Sequence, residues 1–448
     1  MRPYFYLLFL ALLTGPLTAQ SNSWSLDRAV GYALENNLQV RRLNYGVDNA
    51  NLIALRNRRS RLPVVSGSTS GQVQFGRTIN PVTNDFEQRN ILSQNYGLTA
   101  SMSFYGGGVI ANNIRQAEIN AETAQVDARV TSNDIALQVA NSYLTILLLR
   151  EQVANARTQL ALFDDQLANI DALIEAGSRP AGDRYDLLAQ QASARRALVD
   201  FENQAEVAQL NLQLLLELDP TEDFDVIAPN IDEITEADLF GTYNLDEVLA
   251  SARQVQPTIR AAELRRSAAE VDRDIARAAL LPEIGAQANV NTFFSRALTG
   301  DLPFQQPSYG EQLDQNLGQS VGLFARVSIY GQDRNRINMQ LAELGRQTAD
   351  LDVEVADNQL RSDVTQALAN LRGARETYRA AQVSLDAAQT AFTLAERSFN
   401  AGASNNLNLV TAANQLEQAR TEFTRTKYQL IFNREVVQFY LGQGLSLD

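Results

Sequence analysis

Two long stretches of the chain carry an apolar residue at every third or fourth position. The first of these apolar seams runs from Val139 to Ile174, and the second runs from Leu360 to Phe399. A period of 3.5 residues kept over this length predicts α-helices that pack side by side as in coiled coils. Because neither Gly nor Pro occurs from residue 109 to residue 176, we expect one uninterrupted helix there, about 100 Å long.

Each long helix is predicted to end at an Ala-Gly pair, Ala176-Gly177 in the first case and Ala401-Gly402 in the second. Glycine readily adopts the left-handed backbone conformation that commonly follows the last turn of a helix. A shorter helix is expected to return after each pair, over about residues 185–218 and 407–441. Two long antiparallel helical hairpins are the result.

Four further segments alternate apolar and polar residues, which predicts β-strands over about 64–77, 92–105, 283–296 and 316–330. In the second of these segments, for example, Tyr96, Leu98 and Ala100 alternate with polar or small neighbours. Alternation over about ten residues fits a transmembrane β-strand. It fits a half-buried strand of a water-soluble sheet equally well, so the pattern alone leaves both open.

The chain contains an internal duplication. Residues 21–218 and residues 244–448 follow the same plan of helix, two strands, long helix, glycine break and helix. Matches at an offset of 219 include Leu26, Asp27, Leu62 and Pro63 with Leu245, Asp246, Leu281 and Pro282. At an offset of 225, Ser103-Phe104-Tyr105-Gly106 matches Ser328-Ile329-Tyr330-Gly331. Residues 219–243 are predicted to form an acidic linker between these two structural repeats.

The first 20 residues are predicted to be a signal peptide, with Arg2 before an apolar run and Ala19 at the cleavage site. The apolar run, residues 4–13, is too short to cross a bilayer as a helix, which takes about 20 residues. A retained membrane anchor is the less favoured alternative. We therefore expect an exported protein, with the cleavage bond placed only to within a residue or so.

Composition narrows the chemistry that is possible. The 448 residues include no His and no Cys, which excludes disulfides, imidazole or thiolate metal sites, Cys nucleophiles and Ser–His–Asp relays. A carboxylate-only metal site or a two-carboxylate hydrolase stays formally possible, but no convergent acidic motif supports it. With 38 basic and 52 acidic residues, a net charge of −14 argues against nucleic acid as a partner. We expect no enzyme, no cofactor and no metal.

The number of strands bears on the choice between membrane and water. A β-structure that spans a membrane must close so that no backbone edge meets lipid, and closure needs about eight or more strands. Because one chain supplies four, a barrel requires several chains, and three copies would give about twelve strands. The intervening segments, 78–91 and 297–315, are then expected to be surface loops. An exported trimeric coiled-coil scaffold without a pore is the alternative.

In the order and duplication of its motifs, the chain resembles the TolC-like outer-membrane efflux proteins, also called the outer membrane factor family, over about residues 24–445. The motifs that carry the resemblance are Leu62-Pro63 and Leu281-Pro282 at the helix stops, SFYGGG at 103–108, SIYG at 328–331, and the two Ala-Gly pairs. The resemblance implies a mainly α fold with transmembrane β. In that fold, a long α-helical coiled-coil barrel lies in the periplasm, and four strands per chain complete a trimeric 12-stranded outer-membrane β-barrel.

The same resemblance implies a function. Such a homotrimer would be the channel-tunnel of a tripartite efflux or type I secretion system, embedded in outer-membrane lipid. It would dock to a periplasmic adaptor (membrane fusion) protein and an inner-membrane pump, and it would conduct cargo passively out of the cell. The sequence does not identify the cargo or the pump.

In this family the gate lies at the periplasmic tips of the hairpins, so the resemblance makes the residues there candidates for gating and adaptor contact. They are Gly177, Arg179, Asp183, Arg184, Asp186, Gly402, Asn408 and Thr411. Well-known members carry two Asp after the second hairpin glycine, and these positions fall on Asn408 and Thr411, so that acidic ring is not carried over. We hypothesise that polar and ionic contacts among the tip residues hold the entrance closed, the alternative being solvated turn residues.

Overall fold

The computed structural model describes residues 23–79, 84–88, 90–221, 223–228, 241–299, 307–404 and 406–445. The expected signal peptide lies outside the described residues, as do most of the expected linker and parts of both expected loops.

The first half of the chain runs from a short strand through two helices into the strands, and then into the long hairpin. Its elements are β1 (Ser23–Trp24), α1 (Leu26–Asn36), α2 (Leu38–Arg59), β2 (Val64–Gln74), β3 (Arg77–Ile79), β4 (Phe86–Gln88), β5 (Ile91–Gly106), α3 (Val109–Glu175), α4 (Gly182–Leu215) and β6 (Asp225–Val226).

The second half repeats the order of the helices and long strands, with a short helix between its strands where the first half has β3 and β4. Its elements are α5 (Leu245–Val255), α6 (Pro257–Ala278), β7 (Glu283–Ala297), α7 (Tyr309–Gln315), β8 (Gly318–Arg326), α8 (Arg334–Asn400) and α9 (Asn406–Tyr440). The long helices α3 and α8 have 67 residues each. None of the helices in the described part of the chain combines the length and the apolar character that crossing a bilayer demands.

The chain divides into two compact units, to which both halves of the sequence contribute. One unit contains the described residues of Met1–Leu38, Ser132–Ser251 and Val364–Asp448, and the other contains those of Gln39–Thr131 and Ala252–Asp363. The first unit, which we call the hairpin unit, holds both hairpin tips. The second, which we call the sheet unit, holds the four long strands.

The sheet unit contains an antiparallel sheet with the strand order β2-β5-β7-β8. Val64 begins β2 near the end of β5, and Glu283 at the start of β7 pairs with both Gly106 and Arg326. The four strand ends that connect to helices therefore lie at one end of the sheet. The segments that were expected to be loops connect the strands at the other end.

The structure divides the first helix of each half, where the sequence predicted one continuous helix. The break falls at Asn37 in the first half and at Gln256 in the second, and both residues have extended backbone with ψ of 128° and 125°. Asn37 donates its side-chain amide to the Leu215 carbonyl oxygen at 2.9 Å, and Pro257 begins the helix that follows Gln256. In the first half the break is accompanied by a long-range hydrogen bond. In the second half it is accompanied by a proline at the start of the next helix.

Other differences arise where the structure adds or ends an element. The expected linker contributes β6, which pairs in parallel with β1, and the expected loops contain β3, β4 and α7. Strand β8 ends at Arg326 and not near residue 330. Its neighbour β7 begins at Glu283, directly after Pro282, so residues beyond Arg326 have no partner strand among the described residues.

Candidate functional site: the hairpin tips and the polar face of the sheet

The two hairpin tips of the hairpin unit have the same backbone geometry. Gly177 and Gly402 have φ angles of 70° and 71°, in the left-handed region that glycine adopts without steric strain. After each helix, a backbone N–H reaches back by five residues, from Ser178 to the Leu173 carbonyl and from Ala403 to the Ser398 carbonyl, both at 2.9 Å. This is the Schellman pattern that ends a helix. Both glycines thus lie in the turns that the sequence indicated.

An apolar core lies directly behind the tips and is shared by all four helices of the two hairpins. Its buried members include Phe163, Ile170, Leu187, Phe392, Phe399, Leu409 and Leu416. Burial of large apolar side chains stabilises by about 1.5–3 kcal/mol each. The tips are therefore held on a packed scaffold and not on free loops.

Arg179 connects the tip of the first hairpin to the tip of the second. Its guanidinium donates to the Ser404 carbonyl oxygen at 3.2 Å and to the Phe399 carbonyl oxygen at 3.4 Å. It also lies 4.7 Å from the centre of the Phe399 ring. A cation at the C-terminal end of α8 is favoured by the helix dipole and by the carbonyls that have no partner within the helix. Of the predicted tip residues, Arg179 thus bridges the hairpins.

Arg184 makes its contact within its own hairpin. Its Nε donates to a carboxylate oxygen of Asp171 at 2.8 Å, and both side chains are a little under half exposed. An ion pair of this exposure is worth about 0.2–1 kcal/mol. It fastens α4 to α3 just behind the turn and does not reach the second hairpin.

The remaining predicted tip residues lie in the first two turns of α4 and α9. Asp183 is half-buried and Asp186 is exposed, whereas Asn408 donates to the Ser404 hydroxyl at 3.0 Å and Thr411 to the Leu407 carbonyl at 2.7 Å. At the repeat offset of 225, Asp183 and Asp186 correspond to Asn408 and Thr411. The two acidic positions are therefore filled by acids in the first hairpin and by neutral residues in the second.

Sequence reasoning missed the partners of the tip residues. Asp171, Phe399 and Ser404 receive the contacts of Arg184 and Arg179. Asp171 and Phe399 lie in the long helices, outside the turns from which the candidates were chosen, and Ser404 lies in the second turn but was not chosen. The sequence did contain a signal for the Asp171–Arg184 contact. In an antiparallel hairpin, residues at similar distances before and after the turn face each other, and here one is an acid and the other a base. For Arg179 none existed, because the distance along the chain to Ser404 is 225 residues.

Polar groups also lie among the packed residues of α3 and α9. Asn155 on α3 donates to the Thr424 hydroxyl on α9 at 3.3 Å. On α3, Gln159 and Gln166 are buried, and their side-chain amide atoms make no hydrogen bond to a described residue. On α9, one carboxylate oxygen of Glu417 is likewise buried without a hydrogen bond to a described residue. Burial raises the pKa of the Glu417 carboxyl above its ordinary value. Polar groups left unpaired in this way weaken the packing of helices.

In the sheet unit, strand register separates an apolar face from a polar face. The apolar face carries Val65, Tyr96, Leu98, Ala100, Met102, Ala286, Ala288, Val290, Val321 and Leu323. Several of these are open to the surroundings, with Val321 86% and Leu323 78% exposed. A contiguous exposed apolar sheet face marks a surface that contacts lipid or another protein.

The opposite face is lined by hydroxyl and amide side chains. It carries Ser66, Ser68, Ser70, Gln72, Asn95, Thr99, Ser101, Gln287, Asn289 and Asn291. Its charged residues, Glu283 and Arg326, lie opposite each other at the helix end of the sheet with 3.7 Å between their nearest charged atoms. The net charge of −14 therefore produces no acidic lining on this face among the described residues.

Close packing fixes the polar face near that charged pair. The Phe324 ring lies on Gly285, where a Cβ atom would come within 2.7 Å of the Met102 carbonyl oxygen and closer still to the ring. Elsewhere in the described residues, no group of three or more His, Cys, Asp or Glu is arranged to hold a metal ion. The features that stand out are thus a two-faced sheet and two linked hairpin tips.

Comparison with known proteins gives these features a context. The family model described as "Outer membrane efflux protein" matches residues 29–217 and 248–443. The pyoverdine export outer membrane protein OpmQ of Pseudomonas aeruginosa is 30% identical over 248 residues, which span 55% of this chain and 48% of OpmQ. The matched part is thus about half of that relative's length.

Solved structures share the fold at low sequence identity. CusC superposes with a TM-score of 0.79 at 21% identity, covering 94% of this chain and 92% of CusC. The open-state MtrE outer membrane channel of Neisseria gonorrhoeae superposes with a TM-score of 0.77 at 20% identity, covering 95% of this chain and 90% of MtrE. The predicted fold class, helical tunnel with a strand barrel, is confirmed by these matches.

The family match also places the protein in the outer membrane. The family model covers both halves of the sequence and most of the described chain. The chain belongs to the outer membrane efflux protein family.

Proposed function

We propose that this protein is the exit channel of a tripartite efflux or type I secretion system, a homotrimer that conducts cargo passively through the outer membrane. The observation that carries the proposal is the two-faced sheet, with exposed aliphatic side chains on one face and mainly hydroxyl and amide side chains on the other. Lipid would contact the apolar face, and the polar face would line a water-filled lumen.

The two edges of the sheet support the trimeric part of the proposal. Strands β2 and β8 each have a neighbour on one side only within the described chain. Such edges are not stable in lipid, because unpaired backbone groups there cost several kcal/mol each. Pairing of β8 in one protomer with β2 in the next would satisfy them, and three copies would close a barrel of twelve strands. Each protomer would contribute two similar halves, residues 21–218 and 244–448, so the trimer would contain six quasi-equivalent repeats.

The hairpin tips would form the periplasmic entrance. We propose that the contacts of Arg179 with Phe399 and Ser404, together with the Arg184–Asp171 pair, favour a closed arrangement of the tips. Docking of a periplasmic adaptor would compete for the carbonyls and carboxylates at these positions. Energy and most of the specificity would come from an inner-membrane pump, because a wide polar lumen discriminates weakly.

A bilayer recording combined with fractionation tests the proposal. Purified protein from detergent-extracted outer membranes is expected to migrate as a heat-sensitive trimer and to form ion-conducting channels in planar bilayers. Recovery of the mature protein in the soluble periplasm without detergent would favour the alternative, an exported coiled-coil scaffold without a pore.

A further inference from the structure

The four connections between helices and long strands lie at one end of the sheet, which we call the junction. It comprises residues 53–63, 107–118, 271–283 and 326–337, all of them in the sheet unit. These segments contain ten Arg against five Asp or Glu, whereas the whole chain contains 38 basic and 52 acidic residues. The junction is therefore basic in a protein that is acidic overall.

Neighbouring side chains neutralise only part of this positive charge. Three of the ten arginines form ion pairs with acids of the junction. The other seven are exposed and make no ion pair with a described residue. Of these seven, Arg56, Arg59 and Arg277 lie in the last turns of α2 and α6, and Arg115 lies in the second turn of α3.

Helix stability does not account for the remaining three of these arginines. The helix dipole favours a cation near the C-terminal end of a helix and disfavours one near the N-terminal end. Arg334 and Arg336 nevertheless lie in the first turn of α8, and Arg61 lies between α2 and β2, outside any helix. These three charges point to a partner other than the helices of the chain.

Exposed apolar side chains lie next to these arginines. Leu62 follows Arg61 and is 52% exposed, whereas Ile329 and Tyr330 precede Arg334 and are 93% and 82% exposed. The aliphatic stem of an arginine rests on apolar surface while its guanidinium stays among polar groups. Tyrosine is enriched where the hydrocarbon of a membrane meets the lipid headgroups. A mixture of this kind is typical of a protein surface at headgroup level.

The junction also borders the exposed apolar face of the sheet. On that face, Val65 lies four residues after Arg61, and Leu323 lies three residues before Arg326. At about 3.4 Å per residue of an antiparallel strand, the second of these separations is about 10 Å. If the apolar face contacts lipid tails, the junction lies at the level of the phosphate groups.

We infer that the junction binds the phosphate groups of anionic phospholipids, in the membrane leaflet that adjoins the helices, through Arg61, Arg334 and Arg336. This inference rests on the proposed function, because it requires the apolar face of the sheet to lie in lipid. A guanidinium matches a phosphate group with two parallel hydrogen bonds. Each basic residue near an anionic membrane surface strengthens binding about fivefold. Such contacts would fix the depth at which the sheet lies in the membrane.

A comparison of two lipids tests the inference on the wild-type protein. The mature trimer, extracted from outer membranes and purified in a non-ionic detergent, is titrated with phosphatidylglycerol or with phosphatidylcholine of the same acyl chains. Phosphatidylglycerol is expected to raise the temperature at which the trimer dissociates, and phosphatidylcholine is not. Salt at about 1 M, where charges are screened within about 3 Å, is expected to remove most of the effect.

The triple variant Arg61→Gln/Arg334→Gln/Arg336→Gln tests the residues named. It removes three positive charges from the junction and keeps polar side chains in their place. Because each charge strengthens binding about fivefold, the variant is expected to need at least about tenfold more phosphatidylglycerol for half of the wild-type shift in dissociation temperature.

The variant Arg41→Gln/Arg42→Gln/Arg195→Gln is the matched control. It removes three other exposed arginines that make no ion pair with a described residue. Arg41 and Arg42 lie near the opposite end of α2, about 26 Å before its last residue, and Arg195 lies in α4. This control is expected to respond to phosphatidylglycerol as the wild type does.

Equal stabilisation of the wild-type trimer by the two lipids would overturn the inference, and so would equal losses in the triple variant and its control. Stabilisation by inorganic phosphate as strong as that by phosphatidylglycerol would show a site for any phosphate and would overturn it too. The lipid comparison needs no variant, so it decides the question even if the triple variant does not assemble. In each case the channel proposal stands. If the extracted wild-type protein is monomeric and does not conduct, the proposed function fails first.

Discussion

The guanidinium of Arg179 lies 4.7 Å from the centre of the Phe399 ring and donates to the Phe399 carbonyl oxygen. One side chain in the turn of the first hairpin thus stacks on a ring in the last turn of α8. It also gives a hydrogen bond to a backbone carbonyl of that turn. The residue is half-buried over the core of the tips. Among the tip residues that the sequence singled out, it is one through which the first hairpin contacts the second.

Arg179→Ala is therefore expected to open the entrance more often. Loss of hydrogen bonds from a charged donor should destabilise the closed arrangement by about 1.5 kcal/mol, which is roughly a tenfold shift in an opening equilibrium. Single-channel recording in planar bilayers measures this as open probability. Arg196→Ala, which removes an exposed pair with Asp200 on the same helix, is the matched control and should leave the recording unchanged. Equal behaviour of both variants would remove Arg179 from the gate.

Gly285→Ala is expected to disrupt the sheet, because the new methyl group would overlap the Phe324 ring and approach the Met102 carbonyl. Overpacking of this kind typically destabilises by about 1–3 kcal/mol. The amount of heat-modifiable trimer in outer membranes reports the effect. Gly322→Ala adds the same methyl group on β8 where no atom lies within 4 Å. A Gly285 variant that assembles as well as the Gly322 variant would contradict the packing described here.

The buried carboxyl of Glu417 is expected to make stability depend on pH. Its pKa is raised by burial, so the folded protein binds the proton more tightly than the unfolded chain does. The resulting stabilisation is present below the unfolded pKa and is lost as the pH rises through the folded pKa. Glu417→Gln should therefore unfold at a higher temperature than the wild type at pH 7, with a difference that shrinks towards pH 4. Thermal unfolding followed by circular dichroism measures the difference in unfolding temperature between the two proteins at each pH. A difference that stays the same from pH 7 to pH 4 would contradict the prediction.

Gln159→Leu is expected to stabilise the hairpin unit. Neither amide atom of this buried residue has a hydrogen-bond partner among the described residues, and an apolar side chain of similar size removes that penalty, worth about 1–3 kcal/mol. The unfolding temperature should rise. Gln190→Leu serves as the contrast, because Gln190 accepts a hydrogen bond from Asn414 at 3.4 Å and its loss should not stabilise. A lower unfolding temperature for the Gln159 variant would mean that its amide is satisfied in the assembled protein.

Local patterns in the sequence were enough to predict the long helices, the alternating strands and the glycine turns, because each depends on residues close together in the chain. The break at Asn37 depends instead on a hydrogen bond to Leu215, 178 residues away. In the second half, Pro257 was a local signal for the equivalent break. Because the two halves of the sequence are related by duplication, that proline could have predicted the break in each half.

Helix α7 illustrates a second limit. It packs on the sheet through Tyr309, whose hydroxyl lies 2.7 Å from that of Tyr96, and its Gln312 side chain accepts from the backbone of Ser295 on the part of β7 beyond β8. A seven-residue helix stabilised by such contacts leaves little periodic signal. The Arg179 contact was likewise unpredictable, since its acceptors are backbone carbonyls of a distant helix.

Conductance of the purified wild-type trimer in a planar bilayer tests the central claim most directly. If the polar face of the sheet lines a closed twelve-stranded barrel, the protein should insert and produce discrete, reproducible current steps, and Arg179→Ala should lengthen the open periods. A trimer that inserts into the bilayer but carries no current in either form would contradict the claim that this protein is a channel.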